Sequence, residues 1–199
     1  LLHHHTDQVA AGPNTTFWCG GGAIRRTAFK SVGGFDASAY PGPAVEDIEL
    51  GFRLSQAGFR IAFDPALQGT HLKHWTLRSM VRTDLFARAL PWSRLILGGR
   101  ACPRGLNLRA SQRVAVVCAV LLIPALALAA LQPAWALLAG LLLAAVVGLN
   151  LSLFRLLRRR HGFVFAVCCL PLQLIHYWCG AAGYAWAWAE HRWRRRPFS

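Results

Sequence analysis

The chain has 199 residues, 55% of them hydrophobic, a mean hydropathy of +0.35 and a formal net charge of +14. This is too apolar for an ordinary water-soluble domain. The charge raises nucleic acid or an anionic membrane as partners, but no zinc-finger spacing or RNA-binding signature accompanies it, so no nucleic-acid partner is expected.

The two halves differ. Residues 1–113 carry 14 basic and 7 acidic side chains, and residues 114–199 carry 8 and 1. In the second part the arginines flank apolar runs, as membrane-flanking residues do. Arg outnumbers Lys 20 to 2, which fits codon bias in a GC-rich bacterial genome. Cys118, Cys168, Cys169 and Cys179 lie inside apolar runs and read as small hydrophobes. Cys19 and Cys102 have no partner at metal-ligand spacing, so no metal centre is expected among these residues. The opening Leu1-Leu2-His3 shows no signal peptide, and the chain reads as the C-terminal part of a longer protein.

In chain order, Phe17–Ile24 reads as a buried strand entering a Gly-rich turn, and Arg25–Val32 as a short helix stopped by Gly33-Gly34. Tyr40–Ala44, with Pro41 and Pro43, is a loop. Val45–Ala57 is a helix ending at Gly58, and Phe59–Phe63 alternates as a strand closed by Asp64-Pro65. In residues 76–97, Leu77, Met80, Val81 and Leu85 recur at helical spacing until Pro91-Trp92 breaks the pattern. This suits an amphipathic helix on a membrane surface, the alternative being a solvated helix. Val114–Leu131 and Ala134–Phe154 are each long enough to cross a bilayer, with Gln132-Pro133 as a hairpin between them. Phe163–Ala189 is longer and more broken, and its Trp178, Tyr184, Trp186 and Trp188 suggest an interfacial belt. If residues 1–112 are cytosolic, Arg158–Arg160 falls inside. The third segment is then either re-entrant or a third span that places Arg192 and Arg194–Arg196 outside; three spans are favoured by its length.

One constellation stands out. Gly22-Ala23-Ile24-Arg25-Arg26 is followed by Val32-Gly33-Gly34-Phe35-Asp36, then Glu46-Asp47, Arg53 and Gly58. An acidic pair at a helix start alone is ordinary dipole complementation. As an ordered set, these motifs resemble the acceptor-side half of membrane-bound family 2 glycosyltransferases, among them cellulose synthases, hyaluronan synthases and ceramide-type glucosyltransferases. The resemblance covers residues 17–97.

The resemblance implies an α/β fold. This would be the C-terminal half of a Rossmann-like GT-A domain, followed by an interfacial amphipathic helix and two to three transmembrane helices. Residues 1–75 would form the acceptor-side half, 76–112 the interface helix and linker, and 113–199 the membrane region with a basic tail. It implies an inverting transferase with Asp47 as general base and Glu46 and Glu49 shaping the local field. Phe17-Trp18-Cys19-Gly20-Gly21 resembles the Phe-Phe-Cys-Gly-Ser stretch of cellulose synthases, placing Cys19, Gly20, Gly21 and Gly22 at the substrate. His71-Leu72-Lys73-His74-Trp75 stands where processive relatives carry Gln-x-x-Arg-Trp. Trp75 would stack on a sugar and Lys73, His71 or His74 would face the leaving diphosphate. The two histidines depart from that motif and favour transfer of a single sugar.

Such enzymes hold Mg²⁺ or Mn²⁺ and the nucleotide through an Asp-x-Asp motif. Asp47-Ile48-Glu49 mimics its spacing but belongs to the base motif, so the metal site is expected in the missing half and this fragment alone is expected to be inactive. The implied partners are a nucleotide-sugar donor, a lipid or lipid-linked acceptor and the bilayer. The implied location is a multi-pass protein of a bacterial inner membrane with its catalytic part in the cytoplasm. A processive polysaccharide synthase, an inactive membrane scaffold and, less well, a transporter are the competing readings.

Overall fold

The computed structural model describes residues 12–14, 17–40, 42–64, 66, 72, 74–99 and 110–194. Two compact units divide the chain: Leu1–Asn107 with Gly183–Ser199, and Leu108–Ala182.

In the first unit, β1 (Gly12–Asn14) pairs antiparallel with β2 (Ile61–Phe63), with Pro13 opposite Ala62. Helix α1 (Arg26–Ser31) ends where Gly33 and Gly34 take φ of 82° and 68°, a left-handed geometry that glycine adopts without a Cβ clash. Their N–H groups donate to the carbonyls of Lys30 and Phe29 at 3.1 and 2.9 Å, closing the helix end. Helix α2 (Glu46–Gln56) opens on Glu46, Asp47 and Glu49 and ends on Arg53, charges that complement its dipole. Its Leu50 and Leu54, four residues apart on one face, pack with Phe17 and Ala28 against Ile24, Phe29, Val32 and Ile61.

The α/β expectation is overturned. Among the described residues the only sheet is this pair of three-residue strands, and no Rossmann-like mixed sheet is present. Phe17–Ile24 forms no strand: Phe17 is buried, but Trp18 to Ala23 are exposed in a turn, and three successive glycines leave no side chains to pack on a pleated face. The alternation in Phe59–Phe63 yields strand only from Ile61 onward. The remaining apolar periodicity belongs to helices.

Helix α3 (Leu77–Arg82) starts with a capping box in which the Ser79 N–H donates to Thr76 Oγ1 at 3.1 Å and the Thr76 N–H to Ser79 Oγ at 2.9 Å. A π-helical turn, Thr83–Ala89, leads directly into α4 (Leu90–Leu97). The expected break at Pro91 does not occur. The Leu90 N–H donates five residues back to Leu85, and the widened turn accommodates a proline that has no N–H to give. Within this unit the end of helix α8 (Phe163–Arg194) packs on that turn. A Cβ on Gly183 would lie 2.7 Å from Ala89 Cβ and 2.9 Å from Leu90 N. Arg94 grips Glu190 with two hydrogen bonds of 2.8 Å, and Trp186 Nε1 donates to the same carboxylate at 2.8 Å.

In the second unit, α5 (Ala110–Leu131) and α6 (Trp135–Leu149) form a hairpin. Its interior is built on small residues, Ala115, Ala119, Ala125 and Ala139, with Val146, Leu122 and Tyr177, which lets the backbones approach closely. Leu131, Leu137 and Leu141 point outward and are exposed, as lipid-facing side chains would be. Among the described residues two helices, Ala110–Leu131 and Phe163–Trp193, are long and apolar enough to cross a membrane, and α6 with α7 (Leu151–His161) makes a third if that bent pair is one span. The second apolar run is not straight: α7 turns 74° from α6 at Asn150. The third segment is one continuous helix, so the break falls in the second apolar segment.

Candidate active site

The start of α2 is held from two sides within the first unit. Val45, 1% exposed, packs with Leu95 of α4, flanked by Tyr40, Ile48, Trp92 and Ile96. Further along the helix, Arg53 ties α2 to the Gly33-Gly34 turn. Its Nε donates to both oxygens of buried Glu49 at 2.8 and 2.9 Å, its Nη2 to Glu49 at 2.7 Å and to the Gly34 carbonyl at 2.7 Å, and its Nη1 to the Val32 carbonyl. Every Arg53 nitrogen is therefore committed to structure.

This frame presents Glu46 and Asp47. Glu46 turns back to accept the Ala44 N–H at 2.6 Å. Asp47 accepts the Ile48 N–H at 2.8 Å on one oxygen, and the Cys19 thiol lies 3.6 Å from the other. The turn carrying Cys19 and the helix carrying Asp47 thus meet. Burial, and then the charge of Glu46, push the Asp47 carboxyl above its ordinary range; the Ile48 N–H pulls the other way. Burial, then the charge and hydrogen bond of Asp47, then Glu46, push the Cys19 thiol up to about 11. A carboxylate of raised pKa is a stronger base than a free aspartate.

The three glycines differ in what they permit. A Cβ on Gly22 would sit 2.6 Å from the Trp18 carbonyl and 2.9 Å from the Phe17 ring, so Gly22 is required by the turn itself. Gly20 and Gly21 are exposed beside Cys19; a Cβ on Gly20 would press on the Trp18 indole at 3.2 Å, whereas one on Gly21 would meet nothing closer than 4.0 Å, so the open backbone is at Gly21. Trp75 is 45% exposed and Arg88 lies 5.8 Å from its ring centroid. Arg88 also pairs with buried Asp84 at 3.0 Å, so the π-helical turn holds a guanidinium over one face of Trp75. His74 is exposed and makes no hydrogen bond to Cys19 or Asp47. His71 and Lys73 lie outside the described residues, as does Cys102.

Asp47 and Glu49 do not fit a divalent cation. Two residues apart on a helix, they project about 200° from one another, and both Glu49 oxygens are taken by Arg53. Among the described residues no group of three His, Cys, Asp or Glu side chains is arranged to hold a metal ion. An open hollow of about 540 Å³, lined by Gly33 to Ser38, Glu49, Phe52 and Arg53, lies on the other side of α2. Its polar groups are already used: Asp36 Oδ1 accepts from the Ser38 N–H and hydroxyl and the Ala39 N–H.

Sequence spacing identified the Glu46-Asp47 pair but missed the support beneath it. The Glu49–Arg53 i,i+4 spacing was the readable signal for the clasp. No such signal marks the Val45–Leu95 contact, which joins residues fifty positions apart.

No curated protein and no solved structure matches the chain. Residues 3–199 match the profile of glycosyl transferase family 21. The glycosyltransferase character implied by the ordered motifs stands, under family 21 where the resemblance named family 2. With nearly every residue inside that match, the chain belongs to glycosyl transferase family 21.

Proposed function

We propose that this chain supplies the acceptor-activating part of an inverting glycosyltransferase, which moves one sugar from a nucleotide-sugar donor to a lipid or lipid-linked acceptor at the cytosolic membrane face. The observation that supports it best is the Asp47 carboxylate, set at a braced helix start with one oxygen toward the Cys19-Gly20-Gly21 turn. The acceptor hydroxyl oxygen attacks the anomeric carbon as the bond to the leaving diphosphate oxygen breaks. The configuration inverts, and Asp47 takes the hydroxyl proton as the new bond forms. Glu46 keeps that carboxylate basic. Trp75 offers an indole face to a sugar, and the family resemblance assigns His71, Lys73 and His74 to the departing diphosphate, where positive charge would stabilise the leaving group. Apolar helices in the same chain suit an acceptor that arrives from the bilayer.

The test is transfer by the full-length gene product in membranes from a panel of radiolabelled nucleotide sugars, with lipid extracts resolved by chromatography. The expected product is a lipid extended by one sugar. A ladder of polymer would establish a processive synthase instead, and absence of transfer from every donor by folded protein would favour a scaffold.

A further inference from the structure

The bend at Asn150 places a basic helix where no acidic residue of its own unit can answer it. Asn150 is 2% exposed, and its Nδ2 donates to the Val146 carbonyl at 2.8 Å. Its Oδ1 lies 2.8 Å from the Tyr177 hydroxyl and accepts from Gln112 Nε2 at 3.3 Å. The same hydroxyl stands 2.7 Å from Gln112 Oε1. Three polar side chains therefore pin the turn from α6 to α7. Gln112 belongs to the first turn of α5, so the bend sits level with one end of a helix that is long enough to span the bilayer. From there α7 leaves α6 at 74°, which carries it much nearer the membrane plane than the normal.

Along α7, Leu153 and Leu157 are buried. Arg155, Arg158 and Arg159, at i, i+3 and i+4, share the opposite face and are exposed, as are Arg160 and His161 at the helix end. Leu108–Ala182 contains no Asp or Glu, and no ion pair engages these arginines among the described residues. A row of exposed guanidinium groups with no ion pair among the described residues, beside apolar helix surface and at the level of a membrane face, suits phosphodiesters held in the headgroup layer. Guanidinium is the side chain best matched to such oxygens.

We propose that α7 is an in-plane helix whose arginines bind the headgroups of anionic phospholipids, giving the protein a selective lipid collar on that face. Arg155, Arg158, Arg159 and Arg160 are all exposed along α7 rather than buried around one point, which favours lipid phosphates in the headgroup layer as the source.

The test uses the whole chain reconstituted in phosphatidylcholine vesicles containing trace spin-labelled phosphatidylglycerol or phosphatidylcholine, comparing the fractions immobilised at the protein surface. The wild-type protein should prefer phosphatidylglycerol roughly fivefold, the ratio that one charge–phosphate contact near the surface supplies. The preference should fall close to parity when Arg155, Arg158, Arg159 and Arg160 are all replaced by Gln, and survive when all four are replaced by Lys. In the unmodified protein it should also collapse on raising NaCl from about 0.1 M to about 1 M, where the screening length drops from about 10 Å to about 3 Å; this arm stands even if the Gln variant fails to fold. No preference in the wild type, or an unchanged preference in a folded Gln variant or at high salt, would overturn the proposal. Loss of preference on adding inorganic phosphate at matched ionic strength would show a free-anion site and overturn it equally.

Discussion

Replacing Arg53 by Leu should damage the first unit far more than loss of an ordinary surface ion pair. Its partner Glu49 is 4% exposed, and Arg53 also closes the Val32 and Gly34 carbonyls. Removing it leaves a buried carboxylate and two backbone acceptors without their donor. Breaking a buried pair from one side costs about 3–5 kcal/mol. The Arg53 side chain is itself 27% exposed, so water recovers part of this, and about 3 kcal/mol is the working value. Glu49→Gln should cost less, roughly half, because the guanidinium retains both carbonyls and a neutral acceptor. The double replacement by Leu should recover part of the single-mutant loss, since no charge is then stranded. Thermal unfolding of the detergent-solubilised protein, followed by tryptophan fluorescence, would rank the three. An Arg53→Leu loss below about 1 kcal/mol, the range of exposed pairs, would refute the reasoning.

Other expectations concern the site and its supports. Glu46→Gln removes the second cause of the raised Asp47 pKa, so Asp47 ionises more readily and the acid limb of the kcat/KM profile should move to lower pH; a limb that stays or moves upward contradicts this. Cys19 should be a slow nucleophile at neutral pH, because its thiol is pushed up to about 11. Asp47→Asn should speed its alkylation several-fold, read at that peptide by mass spectrometry, and an unchanged rate would break the proposed coupling. Gly22→Ala forces a Cβ against the Trp18 carbonyl and should lower stability by about 1–3 kcal/mol; an unchanged melting temperature would show that the turn yields. Gly183→Leu should separate α8 from the π-helical turn and shift the Trp186 fluorescence, whereas a wild-type spectrum would place no close contact there.

The helices were legible and the sheet was not. Leu50 and Leu54, the glycine stop at Gly33-Gly34 and the uninterrupted apolar run from Val114 to Leu131 each declare a helix, and each element is present. The expected sheet rested on Phe17–Ile24 and Phe59–Phe63, short apolar stretches in which periodicity cannot fix the state. Pro91 misled because a π-turn can absorb a proline without ending the helix, and nothing local announces that turn. Asn150 sits in an apolar run whose composition reads as one span; the bend depends on Tyr177 and Gln112, distant residues that only folding brings to it. At the candidate site, Glu46 and Asp47 stood out as an acidic pair within an ordered motif, and Cys19 stood out by its neighbours. Their meeting at 3.6 Å is a tertiary fact that spacing does not contain.

The most direct test of the account is the turnover of the full-length enzyme with and without Asp47→Asn, measured with its donor saturating and with melting temperature monitored alongside. The substitution removes the charge but keeps the side-chain shape, and since the fold holds this carboxyl above its ordinary pKa, it should not lower stability near neutral pH. The account predicts a kcat about 10²–10⁴-fold lower in a protein that melts no earlier. A fall of less than about tenfold, with the acid limb of the pH profile unchanged, would show that another group takes the acceptor proton.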